Sequence, residues 1–97
     1  MAMIKTFADK ATKDLFEGTG CHKQFRAFRS AAERKLSILD MAASILDHES
    51  PPGNRLEKLK GNREGQWSIR INQQWRLVFQ WDEANQSAYA VEIVDYH

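Results

Sequence analysis

Ninety-seven residues, with 14 basic and 13 acidic side chains, a net charge of +1 and 42% hydrophobic content, describe one folded domain spanning 1–97. That length buries a single core and leaves little room for an enclosed deep pocket, and the composition excludes the disordered class. No apolar run approaches the roughly 18 residues of a membrane span, so no membrane partner is expected. The opening MAMIKTFADK lacks the apolar centre of a signal peptide, and a lone cysteine, Cys21, excludes an internal disulfide and fits a reducing compartment, so a cytoplasmic location is expected. With one cysteine and histidines only at 22, 48 and 97, no tetrahedral donor set is visible, and no metal or cofactor is expected.

In chain order, MIKTF (3–7) favours a strand through Ile4, Thr6 and Phe7. Asp9 suits the N-cap of a short helix, 10–17, that buries Leu15 and Phe16, and Gly18 suits its left-handed C-terminal cap. From Gln24 to His48, Phe25, Phe28, Ala32, Leu36, Leu39, Ala43 and Leu46 recur at three- and four-residue steps. This predicts one long amphipathic helix, or two with a break near Ser30, where Ser30 and Glu33 would form a capping box. The stripe reads as core packing against a sheet.

Ser50-Pro51-Pro52-Gly53 stops the helix and forces an extended crossover. The period then changes to two. A strand over 56–60, a turn at 61–65, a strand carrying Trp67, Ile69 and Ile71, a hairpin tip at Asn72-Gln73, a strand over 75–81, a polar turn at 82–86 and a last strand over 87–95 follow. Short turns force antiparallel pairing. The predicted fold is a small α+β domain: one curved, mostly antiparallel sheet with N-terminal helices packed on one face, the other face free. The crossover is expected to return the chain beside the first strand.

Positive charge is concentrated in 54–76. Arg55, Lys58, Lys60, Arg63, Arg70 and Arg76 stand against Glu57 and Glu64, which is +4 and leaves −3 for the rest of the chain. Such a segment suits an anion, polyphosphate above all, although a solvated basic sheet face explains the count equally well. No phosphate loop, nucleophile elbow or paired-cysteine motif is present. If the last strand runs beside the third, Asp95, Tyr96 and His97 fall near Arg76, with Lys60 reaching in from a neighbouring strand. Lysine and arginine would stabilise a phosphorane-like charge, while histidine and tyrosine would carry protons. Taken singly, each is an ordinary residue: Arg76 a sheet-face cation, Tyr96 an amphipathic edge residue, His97 a terminal one.

LKGNREGQWSIRINQQWRLVF followed by EIVDYH resembles the HigB branch of the RelE-type bacterial toxins, also described as plasmid-maintenance killer proteins. The resemblance covers essentially the whole chain and is strongest over 51–97. It implies a RelE-like fold and a ribosome-dependent messenger-RNA endoribonuclease acting in the A site of the small ribosomal subunit. The chemistry it implies is metal-free, with the ribose 2′-hydroxyl attacking the adjacent phosphate. It also implies a cognate helix-turn-helix antitoxin of the HigA type. Carried over by position, the catalytic set is Lys60, Arg76, Tyr96 and His97. Arg55, Lys58, Arg63, Arg70 and Asp95 are the expected RNA-binding residues. Two positions depart from the pattern: Glu57 stands where some members carry histidine, and Gln74 where some carry asparagine. Glu57 is expected to pair with a neighbouring Lys or Arg. The competing readings are a RelE-like module that binds an antitoxin or RNA without cutting, and a plain interaction domain using the Trp-rich sheet face.

Overall fold

The computed structural model describes residues 4–41, 57–59 and 65–95. Helix α1 is Lys10–Glu17. Asp9, in extended backbone, accepts the Thr12 N–H at 2.9 Å and so satisfies one of the free donors of the first turn. Gly18 ends the helix at φ 76°, in the left-handed region where an L side chain is costly.

The second helical region is broken near Ser30, as expected, but Ser30 does not cap the second segment. A 3-10 helix, Lys23–Phe28, runs into α2, Arg29–Met41. Ser30 therefore lies inside α2 rather than capping it, and Glu33 accepts instead from Arg29 Nε at 3.4 Å. The tighter winding has a packing reason. At three residues per turn, Phe25 and Phe28 stand over one another, with ring centroids 5.9 Å apart, and both reach Trp75. Phe25, Ala32, Leu36 and Leu39 are fully buried. The predicted continuation to His48 and the crossover at 50–53 lie outside the described residues.

Four strands form one antiparallel sheet in sequence order: β1 Glu57–Lys58, β2 Gln66–Arg70, β3 Trp75–Asp82 and β4 Ser87–Asp95. Asn72 closes the β2–β3 turn by accepting from the N–H groups of Gln74 and Trp75, both at 2.8 Å. Asp82 closes the next turn, accepting from Ala84 N–H at 3.0 Å. One face, with Ile69, Leu77, Phe79, Ala88, Val91 and Ile93, joins Leu15, Phe25 and α2 in the core.

The expected sheet order is corrected at one edge. The N-terminal segment does not lie beside the strand that follows the helices. It makes isolated parallel bridges to β4 (Ile4 with Ala88, Phe7 with Val91), whereas β1 pairs with β2 at the opposite edge. Short turns keep β2, β3 and β4 adjacent, so only two edges remain, and a parallel neighbour requires a long connection such as the one joining the N-terminus to β4. In β4 the alternation of faces is interrupted. The register shifts between Val78 and Gln80, where Ala90 adopts φ 52°. This bulge turns Tyr89 to one face and keeps Val91 and Ile93, together with Ala88, on the core face.

Candidate RNA-binding face

On the face of the sheet away from the core, the register sets side chains in rows. Arg70 stands opposite Arg76, and Arg76 opposite Val94. In the next row Glu57 faces Ser68, Ser68 faces Val78, and Val78 faces Glu92. Directly opposed like charges repel, and two contacts offset this. Arg70 Nε donates to the Asn72 carbonyl at 3.2 Å, and Arg76 Nη2 lies 3.4 Å from Glu57 Oε1. Since β3 and β1 flank β2, the Arg76–Glu57 pair crosses over β2 at Ser68. The side chain there is small enough to lie underneath. Ser68 and Val78 are both fully buried, so the middle of this face is covered rather than free.

The pair is asymmetric. The Arg76 side chain is only 11% exposed, against 53% for Glu57. The cation is anchored in the sheet, and the carboxylate sits on a two-residue edge strand. Among the described side chains of this face, Arg70 and Arg76 stand against Glu57, Glu92 and, at the end of β3, Asp82, so positive charge does not accumulate there.

Lys58 does not join this group. It pairs with Trp67 on the core side of the sheet edge, its Nζ 5.8 Å from the indole centroid, a cation–π contact. Asp95 ends β4 opposite Trp75, one position beyond the Arg76–Val94 pair, and accepts from Gln74 Nε2 at 3.0 Å. Gln74, one of the two departures, thus ties the end of β4 to the β2–β3 turn.

A family model described as RelE-like toxin of type II toxin-antitoxin system HigB matches residues 5–97. The chain belongs to this family. It is 44% identical over 80 residues to Toxin HigB-1 of Vibrio cholerae, covering 81% of this chain and 84% of that one. It is 35% identical over 95 residues to Endoribonuclease HigB of Proteus vulgaris, covering 98% and 100%. Among solved structures it is similar to the YoeB-YefM complex from Staphylococcus aureus, with TM-score 0.60 and 25% identity over 100% of this chain and 98% of that one. A YoeB/ParE toxin from Agrobacterium tumefaciens shares the fold at TM-score 0.56 and 20% identity, over 96% of this chain and 99% of that one. The α+β, RelE-like architecture expected from the sequence agrees with these neighbours.

Of the residues that the sequence marks for catalysis in this toxin, Arg76 is described; Lys60, Tyr96 and His97 lie outside the described residues. Of the expected RNA-binding set, Arg70 shares the face of Arg76, Lys58 lies on the other side, Asp95 is at the adjoining strand end, and Arg55 and Arg63 are outside the described residues. Ser68 is the residue that sequence reasoning passed over. Its signal is modest: one small side chain between Trp67 and Ile69, on the strand next to Arg76.

Proposed function

We propose that this toxin is an endoribonuclease that cuts messenger RNA in the ribosomal A site, with Arg76 stabilising charge on the scissile phosphate. The observation that carries the reading is the strand register, in which Arg76 lies directly opposite Val94, one residue before Asp95 at the end of β4. Activity on RNA is supported by the likeness, along 98% of the chain, to a relative named an endoribonuclease. In the proposed reaction the 2′-oxygen attacks phosphorus, the bond to the 5′-oxygen breaks, a base takes the 2′-hydroxyl proton and an acid protonates the leaving 5′-oxygen. The products are a 2′,3′-cyclic phosphate and a 5′-hydroxyl, and no water is consumed. Arg76 and Lys60 offset the charge on the pentacoordinate phosphate, and Tyr96 and His97 carry the protons.

The carboxylates set against Arg70 and Arg76 on the described face support dependence on the ribosome. Phosphate contacts supply much of RNA affinity, and a compensated face supplies few, so presentation and orientation of the message come from outside. A toxin of a type II system is paired with an antitoxin; we assign a helix-turn-helix partner of the HigA type and a cytoplasmic site of action. Among the described residues no helix is long and apolar enough to cross a membrane.

The test is induced expression in bacteria with primer-extension mapping of messenger-RNA ends, comparing wild type with Arg76→Ala. Cuts within translated frames that fall about 100-fold or more in the variant are expected, the usual cost of losing a charge-stabilising donor. No cuts from the wild-type protein, or cuts that persist in Arg76→Ala, would overturn the reading.

A further inference from the structure

Glu57 is the carboxylate that meets Arg76. Its carboxylate oxygen lies 3.4 Å from Arg76 Nη2, on the sheet face away from the core. A carboxylate and a phosphodiester present the same recognition group to a guanidinium: two anionic oxygens on one centre. The two partners also differ in freedom. Arg76 is nearly buried, emerges from the middle of the sheet and reaches across β2 over the buried Ser68. Glu57 is half exposed on the outermost, two-residue strand. An approaching anion therefore displaces the carboxylate more readily than it moves the cation.

We propose that Glu57 is a positioning residue which stands in for a phosphate of bound RNA. In the free toxin it holds the Arg76 guanidinium extended across β2 and offsets the repulsion from Arg70; on RNA binding it gives way to the phosphodiester. The consequence is a toxin whose RNA affinity is held down by its own carboxylate. This deepens the endoribonuclease reading, and its test is a binding measurement that does not need cleavage. A protein that binds as stated but never cuts RNA would sink the enzyme reading and leave this one standing.

The measurement is fluorescence anisotropy of a short fluorescein-labelled single-stranded RNA in low-salt buffer, with the full chain as wild type, Glu57→Gln, Arg76→Ala and the double variant. Glu57→Gln keeps the shape and removes the charge, and at a half-exposed position the fold tolerates it, which the melting curve checks. A competing surface carboxylate is worth about three- to fivefold in Kd, so Glu57→Gln should bind tighter by that factor. The gain should vanish when Arg76 is absent: the double variant should bind no tighter than Arg76→Ala. Unchanged or weaker binding by Glu57→Gln, or a gain that survives in the Arg76→Ala background, overturns the proposal. In ribosome-dependent cleavage the same variant should lower KM. A kcat reduced about 100-fold instead would mark Glu57 as a general base and refute displacement.

Discussion

The sharpest test of the packing is Thr12→Val. Thr12 is fully buried in α1, and its hydroxyl oxygen accepts the Ile93 N–H of β4 at 3.0 Å. The N-terminal segment pairs with β4 only as far as the bond from Ala8 N–H to the Val91 carbonyl at 2.9 Å. Beyond it, the Thr12 hydroxyl takes over as the acceptor for the next outward-facing amide. Valine matches threonine in shape but accepts nothing, so the Ile93 donor would be buried without a partner, at a cost of about 2 kcal/mol. For a domain of this size that lowers the melting temperature by about 8–16 °C. Thr12→Ser keeps the acceptor and loses one methyl group, at about 1 kcal/mol. Thermal unfolding of the three proteins should therefore rank wild type above Thr12→Ser above Thr12→Val, with hydrogen exchange at Ile93 fastest in the valine variant. If Thr12→Val melts at or above Thr12→Ser, the hydroxyl is not what closes this edge of β4.

Two further outcomes follow from the same structure. Phe25→Ala removes a fully buried ring packed edge-on to Trp75 at 5.9 Å; a loss of about 3–5 kcal/mol is expected in urea unfolding, enough to unfold a marginally stable domain, and a loss below about 1 kcal/mol would contradict the packing described. The Asp14 carboxyl is held below the ordinary carboxylate range, chiefly by the hydrogen bond from Lys10 Nζ at 2.8 Å and further by the Thr19 hydroxyl. Its pKa is depressed on folding, so its stabilisation is present above the unfolded value of about 3.9 and is lost as pH falls through the folded value. The difference in urea midpoint between wild type and Asp14→Asn should therefore shrink below about pH 4, whereas a difference constant down to about pH 2 would show that Asp14 contributes no linked stability.

Much of this was legible in the chain. Asp9 and Gly18 bound α1 as their capping chemistry requires, and the two-residue spacing of Trp67 and Ile69, and of Leu77 and Phe79, set the core side of β2 and β3. The pairing of Glu57 with a sheet cation was also foreseeable from local charge. The Ser30 cap was misread, and the 3-10 winding and the β4 bulge were not foreseen, for a common reason: they depend on partners distant in sequence. Phe25 and Phe28 wind tightly to meet Trp75, and Ala90 bulges so that Ala88 and Val91 both reach the core.

Periodicity and capping act between residues a few positions apart. The sequence alone therefore determined α1, the amphipathic stripe of α2, the antiparallel meander and the charge-rich segment carrying Arg76. Its resemblance motifs also marked the toxin family. Which edge the N-terminal segment joins, and which anion the arginine meets, depend on strand order and register. Only the tertiary structure could set Arg76 across β2 from Glu57, leave Lys58 stacked on Trp67 on the other side and bury Ser68 between them.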